Sequence, residues 1–271
     1  MAAHYIEIPY QSLAFLVVMF MGIILFQSVI GLSMARDFTI AGIRMFGQLL
    51  IMGTVLWWVF SVKSLIITLS LVILMVLVAA HTSRDRVIRS YNGPVRPSMI
   101  PFLIAVSIAM SVSLILGVGI ILRPTPWFDP QYIIPLVGMI MGNSMNVSSL
   151  SAERFVSSVV REVHLVETLL GLGLSPHQAC SSFMKSALKA SLMPTINTMM
   201  VVGIVSIPGM MTGQILAGVS PELAVRYQMM IHTLILITSV LASWITVRGL
   251  YTVLFNRDDQ LRWIAETPKG G

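Results

Sequence analysis

The sequence predicts an all-α, polytopic membrane protein with about seven transmembrane helices, and three observations carry that prediction. Of its 271 residues 56% are hydrophobic and 10% charged, whereas a soluble domain typically carries about 25% charged residues. Mean hydropathy is +0.88, and nearly uncharged stretches close to the roughly 20 residues a helix needs to cross a bilayer recur along the chain. The Lys and Arg residues fall between those stretches and form no dense basic patch with interleaved aromatics. The net charge of +6 therefore reads as membrane topology, and no nucleic-acid partner is expected.

The spans are expected near residues 13–34, 44–60, 64–81, 99–122, 133–150, 191–218 and 227–247. The first has no basic residue before it and is longer than the about 7–15 residues of a signal-peptide core, so it reads as a span and not as a cleaved signal. The second begins at Arg44, which sits where a long side chain can snorkel to the interface. The third and fourth are almost purely apolar, separated by Arg84, Arg86, Arg89 and Arg96. Residues 151–190 form the longest polar segment, and the whole chain, 1–271, reads as one membrane domain with no soluble domain attached.

Orientation follows from the bias of Lys and Arg toward the cytoplasmic side. An outside amino terminus and a cytoplasmic carboxyl terminus leave Lys63, Arg123 and Arg226 outside. They place Arg36, Arg44, Arg84, Arg86, Arg89, Arg96, Arg154, Arg161, Lys185, Lys189, Arg248, Arg257, Arg262 and Lys269 inside. Trp57, Trp58 and Trp127 then fall near the outer interface.

The fifth span, "IIPLVGMIMGNSMNVSSLSAERF", combines a G-x-x-x-G spacing at Gly138 and Gly142 with a polar stripe at Asn143, Ser144, Asn146, Ser148 and Ser149. The glycines suit close helix approach; the stripe suits either interhelical hydrogen bonding or a polar route. In the sixth, Pro194 and Pro208-Gly209 are each able to interrupt a helix, and Gly209 with Gly213 repeats the glycine spacing. Met139, Met141, Met145, Met199, Met200, Met210, Met211, Met229 and Met230 concentrate in the last three spans, as flexible packing filler or as soft thioether ligands. No histidine pairs with another or with Cys180 at a metal-ligand spacing, so the metal ligands, if any, are not legible. The single cysteine excludes an intramolecular disulfide and reads as a buried thiol.

Within the polar segment, "GLGLSPHQACSSFMKSALKA" starts a helix deliberately. Ser175 is the N-cap, Pro176 occupies the first helical position, and Gln178 completes a capping box. The sequence contains no phosphate-binding loop, zinc-protease motif or nucleophile elbow, so covalent catalysis by this chain is not expected.

Four stretches together, "VGMIMGNSM" (137–145), "LGLSPHQA" (172–179), "SIPGMMTGQILAGVSP" (206–221) and "AVRYQMM" (224–230), resemble the bacterial iron-export ABC transporter permease family, which also includes the plant aluminium-sensitivity membrane proteins. The resemblance runs from about Asp37 to the end of the last span. It implies an inner-membrane permease that exports iron or another metal-related solute as a dimer. A separate ABC ATPase subunit would bind ATP and Mg, and no cofactor would reside in this chain. It also implies that the capped segment is a coupling helix, with Glu162, Glu167, Ser175, Pro176, His177 and Gln178 serving the ATPase contact. Gly138, Met139, Gly142, Asn143, Met145, Asn146, Pro208, Gly209, Met210 and Met211 are the candidate route residues. The alternatives are an ATPase-independent carrier or channel, export of a small organic solute such as a sugar nucleotide, and a membrane scaffold.

Overall fold

The computed structural model describes residues 8–32, 34–90, 97–256 and 258–261. Arg96, Arg257, Arg262 and Lys269, counted above for topology, lie outside the described residues. In chain order the helices are α1 (Tyr10–Val29), α2 (Ala35–Val62), α3 (Leu65–Ser90), α4 (Ile100–Ser113) continued by a π-helical stretch (Leu114–Leu122), α5 (Pro130–Arg161), α6 (Val163–Gly171), α7 (Pro176–Ala179), α8 (Ser181–Val201), α9 (Gly209–Leu216) and α10 (Pro221–Leu254). Among the described residues, the only β pairings are two isolated bridges, Val202 with Ser206 and Phe255 with Leu261. The protein is an all-α polytopic membrane protein, as the composition predicts.

Six of these elements are long and apolar enough to cross a membrane: α1, α2, α3, α4 with its π-helical extension, α5 and α10. The remaining expected span, the sixth in chain order at residues 191–218, is divided, as its prolines lead one to expect, and so is absent from these six. There α8 ends at Val201, the chain turns, and α9 resumes at Gly209. Gly203 makes the turn with φ +85°, a left-handed conformation that glycine adopts without steric cost. Its N–H donates to the Ser206 carbonyl at 2.8 Å, and Pro208 then supplies no donor for helix continuation. Pro194, also expected to interrupt, stays inside α8. The other bounds lengthen. The spans expected at 44–60, 64–81 and 133–150 are Ala35–Val62, Leu65–Ser90 and Pro130–Arg161, so the start of the polar segment 151–190 is a continuation of α5.

Two compact units are present, residues 1–64 with 216–218, and residues 65–215 with 219–271. In the first, α1 and α2 pair through Phe20, whose ring meets Phe46 edge-on at 6.3 Å between centroids. Gly42 lies under Phe20, where a β-carbon would collide with the ring. Phe15, Ile43, Leu50 and Trp57 are exposed, as side chains that meet lipid should be.

In the second unit α5 and α10 pack on each other and each receives α4 and α8, with α3 against α5. Two buried clusters hold it. One joins Val72, Val76, Val106, Val137, Ile140, Ile231 and Leu234. The other joins the C-terminal halves of α5 and α10, through Phe155, Val159 and Leu250, to Val166 of α6, Cys180 and Ala187 of α8. α10 packs tightly at two glycines: at Gly249 a β-carbon would stand 2.6 Å from Pro101 Cβ, and a β-carbon on Gly117 would stand 2.9 Å from Leu234 Cδ1. The predicted glycine pairs are used less. A β-carbon on Gly138 would meet only Met75 Cε, at an ordinary 3.4 Å, and one on Gly142, Gly209 or Gly213 would stand in open space.

Candidate functional site

A cavity of about 320 Å³ opens between α5, α8, the start of α9 and α10. From α5 it takes Met139, Asn143 and Asn146; from α8, Ser191, Thr195 and Thr198; then Pro208, Gly209 and Met210; and from α10, Gln228 and His232. Six of the ten candidate route residues thus line one space. Gly138, Gly142, Met145 and Met211 are not among its lining residues.

Helical spacing explains the convergence. Met139, Asn143 and Asn146 follow i, i+4, i+7 along α5, and Gln228 with His232 follow i, i+4 along α10, so each set shares one face. Asn143 Nδ2 donates to the Met139 carbonyl at 2.9 Å. Thr198 and Ser191 donate to carbonyls of their own helix, Pro194 at 2.9 Å and Leu188 at 3.0 Å. Their remaining polar capacity is therefore that of acceptors. Asn146 Oδ1 accepts from Arg86 Nη1 of α3 at 2.6 Å, so a guanidinium read in the sequence only as a topology charge is bonded to the lining. Gln228 is 7% exposed, and its Oε1 is buried with no hydrogen-bond partner. Gln228 Nε2 lies 2.6 Å from His232 Nδ1, which is also 3.1 Å from the Gln228 carbonyl oxygen. One ring nitrogen cannot donate and accept at once, so the pair has two arrangements that differ in which amide atom faces the ring.

A second cavity of about 320 Å³ lies toward Gln131, Tyr132, Gln214 and Tyr227. It shares Met210 and Ile231 with the first, and Gln214 Oε1 within it is buried without a partner. Met210, a candidate route residue, therefore stands with Ile231 as the wall common to both.

The capped segment is built from two termini. At the end of α6, Gly173 has φ +87°, its N–H donates to Leu170 O at 2.9 Å and the Leu174 N–H to Leu169 O at 3.2 Å, the paired bonds of a Schellman ending. Two residues after Gly173, the Ser175 N–H donates to Gln178 Oε1 at 3.0 Å, and the Gln178 N–H to Ser175 Oγ at 3.4 Å, so the capping box is complete with Pro176 at the first position. The helix it opens, α7, is a single turn, closed at Cys180 where α8 begins. His177, expected to serve a partner, stacks on Tyr251 of α10 at 5.6 Å, and Tyr251 in turn contacts Phe155 of α5 at 5.2 Å. Cys180 is buried, and burial pushes its thiol up to about 12, a setting for an inert cysteine.

Glu162 ends α5 and precedes α6. Glu167 lies 3.7 Å from His164 Nδ1 and borders a recess of about 760 Å³ that also takes in Ser175, Gln178, Asp258 and Asp259. The two aspartates were not singled out in the sequence, nor were Gln228, His232, Thr195, Thr198 and Ser191. The i, i+4 polar pair of Gln228 and His232 inside an apolar run was the signal available for the cavity.

Among proteins similar to this chain, a UPF0014 membrane protein of Synechocystis is 39% identical over 232 residues, 85% of this chain and 88% of the relative. "Probable iron export permease protein FetB" of Escherichia coli K12 is 31% identical over 255 residues, 94% of this chain and 95% of the relative. "Protein ALUMINUM SENSITIVE 3" of Arabidopsis thaliana is 30% identical over 249 residues, 92% and 88% of the two chains. No solved structure matches. Residues 10–255 match the model of the Uncharacterised protein family (UPF0014), and with these relatives spanning nearly its whole length the chain belongs to that family of membrane proteins.

Proposed function

We propose that this chain is the permease subunit of an inner-membrane ABC transporter that exports iron or a metal-related solute, working as a dimer with a separate subunit that binds Mg-ATP. The observation that carries the reading is the α6–α8 segment. Within it the end of α6 is closed by a Schellman ending and the start of α7 by a capping box, and it is locked to the ends of α5 and α10 through Val166, Cys180 and the His177–Tyr251–Phe155 stack. A junction whose two facing helix ends are both capped frays less under load than an open one. Seated on the two central helices, it passes displacement to the helices that line the cavity. The likeness to a protein named as a probable iron export permease supports the cargo.

In this reading Glu162, Glu167, Ser175, Pro176 and Gln178 face the ATPase, while His177 belongs to the inward contact. The divided α8–α9 segment makes the seventh crossing, which keeps the amino terminus outside and the carboxyl terminus cytoplasmic, in line with the Lys and Arg bias.

The test is ATP hydrolysis by a candidate ABC ATPase subunit from the same organism, measured with and without the chain in nanodiscs, for wild type and a Pro176→Gly, Gln178→Ala double variant. Hydrolysis that depends on the chain and collapses in the double variant is expected. Flux of metal in liposomes carrying this chain alone, untouched by the double variant, would replace the reading with an ATPase-independent carrier.

A further inference from the structure

The chemistry of the first cavity says in what form a metal cargo is recognised. Among the described residues its donors are carboxamides, hydroxyls and one imidazole beside the thioethers of Met139 and Met210, with no carboxylate or thiolate and no group of three His, Cys, Asp or Glu side chains that could hold a metal. The formal charge bonded to it is positive, Arg86 on Asn146 Oδ1 at 2.6 Å. A hard dication stripped of its shell is held by several oxygen ligands, commonly carboxylates, converging to about 2.0–2.6 Å, and an uncompensated charge in a low-dielectric site carries a large desolvation penalty. This lining supplies neither the anions nor the enclosure. Its volume, about 320 Å³, falls at the lower end of the roughly 300–1,000 Å³ range of small-molecule sites and far exceeds one bare ion.

The lining does supply hydrogen bonds for a solute. Gln228 Oε1, on a side chain more than nine-tenths buried, has no partner among the described residues, and a solute that satisfies an unmet buried acceptor gains by it. The Gln228–His232 pair can present either an acceptor or a donor, according to how its amide is turned.

Resting on the metal-export reading above, we infer that this cavity recognises its cargo through outer hydrogen bonds, as a small chelate whose own anionic oxygen ligands compensate the metal charge. The metal ion does not exchange its ligands for those of the protein. Gln228 is the central contact, and Arg86 favours a complex of zero or negative net charge.

The full chain in nanodiscs is dialysed to equilibrium against radioactive iron supplied either as a hydroxycarboxylate complex, ferric citrate, or as aqueous Fe(II) under anaerobic conditions, with citrate alone as a third ligand. The chelate is expected to bind at least tenfold more tightly than either aqueous Fe(II) or citrate. Gln228→Leu should weaken the chelate about tenfold, whereas Gln228→Glu, which puts an anion into the lining, should reverse the preference toward aqueous Fe(II). Tighter binding of aqueous Fe(II) by the wild type, or chelate binding indifferent to both variants, overturns the inference and leaves metal export standing. Retention of neither iron form overturns both, and citrate bound as well as its iron complex assigns the site to an organic anion instead.

Discussion

The segment from α6 to the start of α8 and the cavity further along α8 both sit against α5 and α10 and are finished to opposite standards. In the segment, the Ser175–Gln178 box and the Gly173 ending satisfy the local backbone, and the side chains of Val166 and Cys180 are fully buried. In the cavity Gln228 Oε1 has no partner, and Ser144 and Ser148 on the same α5 helix are buried with unpartnered hydroxyls. Saturated termini and packed rings make a part that moves as one body. Unmet acceptors beside open volume make a part that gains free energy when something enters. In the proposed reading, force transmission falls to the first region and recognition to the second.

The largest effect that tests the contrast should come from Phe155, buried between α5, α10 and the segment. Phe155→Ala is expected to cost about 3–5 kcal/mol of stability, read as a lowered unfolding midpoint in detergent. A loss no larger than that of cavity variants would end the claim that the segment is the rigid part. Next come its termini. Gly173→Val forces a β-branched residue to φ +87° and should cost about 1–2 kcal/mol, and Ser175→Ala about 1 kcal/mol. Both should impair partner-stimulated hydrolysis before they impair folding.

A cavity change should cost far less. Gln228→Leu removes an unpartnered buried acceptor together with the Nε2 contact to His232, whose Nδ1 keeps the main-chain carbonyl of residue 228 at 3.1 Å, so the two effects on stability should largely offset, to within about 1 kcal/mol, while cargo binding falls. A clear loss of stability would show that Gln228 is structural. The smallest effect concerns Cys180. With its thiol raised to about 12 from 9.0, maleimide should not label it in the folded chain at pH 7–8, yet should label it in denaturant. The sign of the linkage follows: this group costs no stability below about pH 9, and stability declines as pH rises from there toward 12, where the unfolded thiol ionises and the folded one does not. Rapid labelling at pH 7 would mean that the segment opens.

What the sequence made legible was local. Ser175, Pro176 and Gln178 form their cap within four residues, and only their own spacing is needed to see it. The interruption of the sixth span was legible because proline withholds a donor, but Pro194 stayed helical while Gly203, not singled out beforehand, made the turn. Proline in a membrane helix is tolerated where neighbours re-satisfy the backbone. A residue at positive φ must leave the helix. The glycine pairs illustrate the other limit. Gly138-x-x-x-Gly142 matches a packing pattern, yet close approach occurs at Gly117 and Gly249, which have no such spacing, because the helix that arrives decides which glycine is used. The cavity was half legible for the same reason. Its α5 wall showed as a polar stripe, whereas Gln228 and His232 acquire meaning only opposite Asn143 and Thr195.

The buried hydroxyls of α5 and α10 have a mechanical consequence. Ser144 and Ser148 on one helix, and Ser239 and Thr246 on the other, have no hydrogen-bond partner, while Thr238 and Ser243 are turned back onto their own helix. None of these groups is clamped across the seam. Were α10 to shift along α5, these groups would have no bond between the helices to rupture and re-form, so sliding would be opposed by side-chain packing, Phe155 against Tyr251 included, and not by polar clamps. A seam of interlocked amides would act as a ratchet, storing a displacement in discrete steps; in the proposed reading this one yields by repacking.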